Sequence, residues 1–124
     1  MIPYFRTMHL DEIYEFCLAL KGTTENFPFD KRTLVFKVMG KMYALIDVET
    51  PDSINLKCDP ERAVELRERY SSVQPGYHMN KSHWNTVLLN GELSNAMIQE
   101  LIVHSYDLIV ASLPKKLQHE LSLG

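Results

Sequence analysis

The chain has 124 residues, the ordinary size of a single domain and enough to bury a core of its own. Apolar residues make up 45% and charged residues 23%, a balance that excludes an intrinsically disordered chain. A net charge of -3 argues against a non-specific binder of nucleic acid driven by overall charge. Phosphate contacts would have to come from a local patch.

Two cysteines, Cys17 and Cys58, sit in apolar patterns beside Leu18 and near Leu56. They make no disulfide framework and read as small core residues of a reducing compartment. The start, Met1-Ile-Pro-Tyr-Phe-Arg6, lacks the apolar run of a signal peptide, and no stretch has the length of a membrane span. A cytoplasmic protein is expected.

The first element is a helix over residues 8–20, with Leu10, Ile13, Cys17 and Leu20 on one face and Phe16 beside them. Lys21-Gly22 stops it. Strands follow. Thr24 to Phe29 makes a short first one and Leu34 to Met39 a stronger second. Gly40-Lys41 then suits a two-residue type II′ turn, with Gly first. From Met42 to Val48, alternation sets Met42, Ala44, Ile46 and Val48 on one face, against Tyr43, Leu45 and Asp47. After the turn residues Thr50-Pro51-Asp52-Ser53, Ile54, Leu56 and Cys58 point inward again.

Asp59-Pro60 opens a second helix by a side-chain cap and a proline in the first helical position, with Ala63, Leu66 and Tyr70 toward the core. Residues 71–83 are polar with Pro75-Gly76 inside, and read as a loop or a loop with a short helical turn. Trp84 to Leu89 is a strand and Asn90-Gly91 a turn. Ser94 caps a long helix with a stripe of Met97, Ile98, Leu101, Ile102, Ser105, Leu108 and Ile109. Pro114 breaks it, and residues 114–122 add a short last helix. Strands grouped in this way predict one α+β domain over 1–124, an antiparallel β-sheet packed against helices.

Chemistry is sparse. His78 and His83 lie five apart with His104 and Cys58 elsewhere, without the clustered short spacings of a zinc site. Cys58 with either loop histidine is a conceivable nucleophile and base, but its inward phase reads as a buried structural thiol. No phosphate loop or metalloprotease motif is present. The expectation is therefore no catalytic residue, no metal and no cofactor.

Two features carry binding readings. Lys37, Lys41 and Lys57 lie in the strand meander, and Lys81 lies in the long loop near His83 and Trp84. Cations interleaved with aromatics on a sheet can contact phosphates and stack on bases; the plainer reading is a solvated face. The stretch from Pro75 to Asn85 also packs Tyr77, His78, Asn80, His83 and Trp84 together. Side chains so rich in donors and acceptors either lock the loop to the sheet, with Trp84 as anchor, or line a ligand pocket.

Asn26-Phe-Pro-Phe29, Val35-Phe-Lys-Val38, Gly40-Lys-Met-Tyr-Ala-Leu45, Leu56-Lys-Cys-Asp-Pro-Glu61, Gly76-Tyr-His-Met-Asn-Lys81, His83-Trp-Asn-Thr-Val87 and Ser105-Tyr-Asp-Leu108 follow one another in order. With these segments the chain resembles the MmcQ/YjbR family. The resemblance implies a CyaY/frataxin-like α+β layout. It also implies a DNA-binding or regulatory module, with a "double wing" of sheet and loops and double-stranded DNA as partner. It supplies no catalytic residues. Our choice of wings is the hairpin at Gly40-Lys41 and the loop at Lys81.

Overall fold

A computed structural model describes residues 8–124; the segment Met1–Arg6, read above for a leader, lies outside the described residues. Among them, no helix is long and apolar enough to cross a membrane. The first helix, α1 (Leu10–Ala19), buries Ile13 and Cys17 and ends before Gly22, whose φ of 74° is the left-handed turn glycine tolerates. Strands β1 (Thr23–Asn26), β2 (Thr33–Val38), β3 (Lys41–Asp47) and β4 (Ser53–Lys57) form the meander. Helix α2 (Pro60–Arg69) begins where Asp59 Oδ2 accepts the Arg62 amide at 3.2 Å. Two more strands follow, β5 (Val73–Pro75) and β6 (Trp84–Leu88), and then α3 (Asn95–Ser112), capped by Ser94 Oγ on the Met97 amide, and α4 (Lys115–Leu123).

All six strands join one antiparallel sheet in the order β1-β2-β3-β4-β6-β5. The main core lies on one face of it, where Phe36, Ala44, Ile46, Ile54, Leu56 and Val87 meet Ile98, Leu101, Ile102 and Ile109 of α3 and Ile13 and Cys17 of α1. Among the described residues the other face carries no helix and holds a small cluster of Val35, Leu45 and Trp84, joined by Met42 and Met79.

Several sequence expectations change. The first strand stops at Asn26, so Phe27, Pro28 and Phe29 belong to the following loop. The β2–β3 turn is centred on Met39-Gly40, with φ of 50° and 84°; two positive values make it type I′ rather than type II′. The pairing shifts between Phe36 and Lys37, where Phe36 faces Ala44 and Lys37 faces Met42, so Tyr43 is the extra residue of a β-bulge. The bulge reverses the phase that alternation assigns. Tyr43 joins the main core, fully buried, and Met42 turns to the other face. The Tyr43 hydroxyl shares a hydrogen bond with Thr23 Oγ1 at 2.8 Å and lies 3.2 Å from the Cys17 carbonyl. Finally, residues 73–75 of the expected loop form β5, an edge strand whose proline needs no ladder donor.

Candidate functional site

The helix-free face is ordered by register. Val35, Leu45, Asn55 and Thr86 are cross-strand partners in one row. Thr33, Asp47 and Ser53 stand in the next row toward one end of the sheet, and Lys37, Met42, Lys57 and Trp84 in the row toward the other. The face therefore has an acidic, hydroxyl-bearing end, a middle that is apolar on β2 and β3 and polar on β4 and β6, and a basic end.

Over the acidic end and the middle lies the loop from Gly76 to His83. Hydrogen bonds tie it to the sheet at several points. Gly76 N donates to the Trp84 carbonyl at 2.8 Å, and Tyr77 N to Thr86 Oγ1 at 2.9 Å. Asn80 closes the turn: its carbonyl accepts the amides of His83 and Trp84, and its side chain accepts the Ser82 amide. Gly76 leaves no room for a side chain, since a Cβ there would sit 2.8 Å from Trp84 Cβ and 2.9 Å from its carbonyl oxygen. His78 takes a φ of 60°, and its ring lies 4.0 Å from that of Tyr77, centroid to centroid.

Arg67 of α2 is the residue that sequence reading missed. Its Nε donates to Asn85 Oδ1 at 2.7 Å, and Nη2 reaches the carbonyls of Lys81 and Trp84. A signal existed: Arg67 follows Ala63 by one helical turn, at the edge of the core stripe of α2.

Loop and sheet enclose a cleft of about 520 Å³. Leu45, Asn55 and Thr86 form part of its floor, Phe29, Tyr77, His78 and Met79 stand around it, and Thr33, Asp47, Thr50, Asp52 and Ser53 line the acidic end. Phe29 and Tyr77 are 64% and 69% exposed, far more than rings that serve packing. The polar floor is oriented. Thr86 Oγ1 accepts the Tyr77 amide and donates to Asn55 Oδ1, which leaves the Asn55 amide nitrogen as a donor. Asp47 is held by Arg32, whose Nη2 and Nε lie 2.7 and 2.9 Å from Oδ2, while Nη1 lies 3.3 Å from Glu49. This pairing, with the Thr50 and Glu49 amides on Oδ1, brings the Asp47 carboxyl down to about 2.

A pH dependence follows from Asp47. In the unfolded chain it takes up its proton near pH 4, whereas in the fold it resists until about 2. Its stabilising contribution is thus complete above about pH 4 and is lost as pH falls toward 2. Acid titration of the Asp47→Asn variant, followed by circular dichroism, is expected to show a smaller stability loss across that window than the parent; parallel curves would contradict it.

The residues singled out in the sequence are distributed unevenly over this face. Lys37 and Lys57 share its basic row, two strands apart. Lys41 pairs with core-facing Val38 and falls on the opposite phase, at the end of the sheet. Lys81 turns back into its own loop, its ammonium 2.9 Å from the Gly76 carbonyl. Trp84, 9% exposed, packs on Val35 and Leu45. Of the five loop residues weighed as a pocket, Tyr77 and His78 line the cleft; Asn80, His83 and Trp84 do not. Phe29, Asp52 and Asn55 were not foreseen there. Cys58 is buried, and burial pushes its thiol up to about 11, away from a reactive thiolate at neutral pH. His104, lowered in pKa first by burial, accepts the Asp59 amide at 3.3 Å. Among the described residues no three His, Cys, Asp or Glu side chains converge on a metal position.

The family model described as YjbR matches residues 18–108. The chain belongs to the YjbR family. YjbR relatives include the uncharacterized Escherichia coli K12 protein YjbR, 34% identical over 88% of this chain and 93% of its own length. The uncharacterized Bacillus subtilis protein YyaQ is 30% identical over 79% and 95%. The crystal structure of a Deinococcus radiodurans protein with a DUF419 domain superposes with a TM-score of 0.88, at 41% identity over 94% of this chain and 89% of that one. A Pseudomonas syringae crystal structure gives 0.69, at 33% identity over 82% and 98%. These YjbR-type neighbours share the α+β architecture of an antiparallel sheet with helices.

Proposed function

We propose that this YjbR domain is a binding module, without catalysis of its own, that works through the helix-free face of its sheet and takes a small ligand in the cleft beneath the Tyr77 loop. The observation that carries the reading is the pairing of two large exposed rings, Phe29 and Tyr77, with a polar floor whose hydrogen bonds are already set. Aromatic walls with a few oriented polar groups are the usual composition of a ligand site, and the cleft falls in the usual range of volumes. Rigid strands supply the floor, so little has to be ordered when a ligand enters.

A thermal-shift screen of small metabolites tests this, because a ligand of the native state must raise stability. At one hundred times its Kd, a hit is expected to add about 2.7 kcal/mol. Thr86→Val removes the relay from Tyr77 to Asn55 and is expected to weaken that hit about tenfold, about 1.4 kcal/mol. A hit whose affinity ignores Thr86→Val and Tyr77→Ala would contradict the cleft as its site.

Lys37 and Lys57 favour a second reading, a DNA-binding or regulatory surface. They stand on one row of the open face, two strands and hence about 10 Å apart. If these two neutralise phosphates, the logarithm of affinity for duplex DNA should fall against that of salt with a slope of about -2. The Lys37→Glu, Lys57→Glu double variant should abolish binding measured by fluorescence anisotropy. Binding unchanged in that variant would remove the reading.

A further inference from the structure

Resting on the cleft reading, we infer that the ligand is a planar, nucleobase-type heterocycle taken without a phosphate. Three observations converge. The first is the wall: Phe29 and Tyr77 are mostly exposed, and the His78 ring lies 4.0 Å from that of Tyr77, so the cleft offers π faces around a floor softened by Leu45. Flat rings gain from offset or edge-on contact with such faces. The second is the edge: Asn55 presents its amide nitrogen as a donor because Thr86 occupies its oxygen. Three residues along, the Asp52 side chain lines the same cleft and makes no hydrogen bond or ion pair among the described residues. A ligand that accepts from Asn55 and donates to Asp52 needs both an acceptor and a donor on its rim, as a nucleobase-type ring has. The third is charge. Among the described residues no lysine or arginine lines the cleft, Asp47 and Asp52 do, and the nearby Arg32 guanidinium is paired with Asp47 and Glu49. A phosphate group would meet these carboxylates with no lysine or arginine among the described lining residues to offset them.

The inference is tested by titrating the protein with guanosine, adenosine, uridine and cytidine, their 5′-monophosphates, and a hexose, following backbone amides by two-dimensional NMR. The expected result is that at least one nucleoside shifts the amides of Asn55, Tyr77 and Thr86, with its monophosphate at least tenfold weaker. Asn55→Ala should weaken the nucleoside about tenfold. Asp52→Ala, whose side chain bonds nothing among the described residues, provides the second variant and should do the same with the spectrum otherwise intact. A monophosphate that binds as well as its nucleoside would overturn the phosphate-free assignment. Shifts at those three amides caused by the hexose but by no nucleoside would overturn the heterocycle and leave the cleft reading standing. No shift at them from any probe overturns the heterocycle, and the small-metabolite screen then decides the cleft reading on its own.

Discussion

Replacing Ser105 with alanine is expected to destabilise the fold by about 2–4 kcal/mol, as two polar backbone groups lose a partner inside the protein. Ser105 is fully buried in the middle of the apolar stripe of α3. Its hydroxyl donates to the Tyr43 carbonyl at 2.5 Å and accepts the Lys57 amide at 2.9 Å. Tyr43 is the extra residue of the β-bulge, so its carbonyl falls outside the regular ladder, and the serine takes the place of the missing strand partner. The helix thereby fastens to β3 and β4 at the point where the sheet pairing is broken. Against a total stability of about 5–15 kcal/mol for such a domain, this loss is large. Urea unfolding measures it; a change below about 0.5 kcal/mol would mean the two backbone groups are satisfied some other way.

Arg67→Ala should cost about 1.5–3 kcal/mol, the range for a hydrogen bond to a charged group whose partner is left buried. Asn85, 2% exposed, would keep its side-chain oxygen in the protein without the guanidinium, and the Lys81 carbonyl would lose its link to α2. The consequence extends beyond stability. The loop that Arg67 holds carries Tyr77 and His78, one wall of the cleft. Hydrogen exchange of the amides of residues 76–83 should therefore quicken in the variant while that of α3 does not, since local opening follows the loss of local contacts. Arg67→Lys should not restore protection, because an ammonium lacks the planar fork that spans side chain and backbone carbonyls. Unchanged exchange in the loop would show that the Tyr77–Thr86 and Gly76–Trp84 bonds hold it alone.

Much of the fold was legible in the chain because local rules and burial agree there. Asp59-Pro60 and Ser94 start helices by the caps that their side chains make, and strict alternation from Ile54 to Cys58 puts the right residues inward. The failures have physical causes. Alternation assumes an unbroken ladder, so one bulge at Tyr43 exchanges the faces of Tyr43 and Met42. A type I′ turn at Met39-Gly40 places a methionine at positive φ, where propensity points to Asn, Asp or Gly. The three residues of β5 are too short for any periodicity and pair only because β6 offers an edge.

The site was less legible than the fold. Its polar loop stood out by composition, and Tyr77 and His78 do line the cleft. Phe29 entered as the end of a strand and Asp52 as part of a turn; only the fold brings them to one place, from loops on either side of β2 and β3. The lysines looked like one set because they share a meander, yet register separates Lys41 from Lys37 and Lys57, and Lys81 is spent on the Gly76 carbonyl. Trp84 serves the small second cluster.

On the reading proposed above, the helix-free sheet face binds a small ligand at its acidic, aromatic end. Amide chemical-shift mapping with whichever small molecule stabilises the protein in the thermal screen tests it most directly. Shifts are expected to concentrate at Thr33, Asp47, Ser53, Asn55, Tyr77 and Thr86. Shifts confined to Lys37, Lys57 and the opposite end of the sheet, or to the helical face, would contradict it.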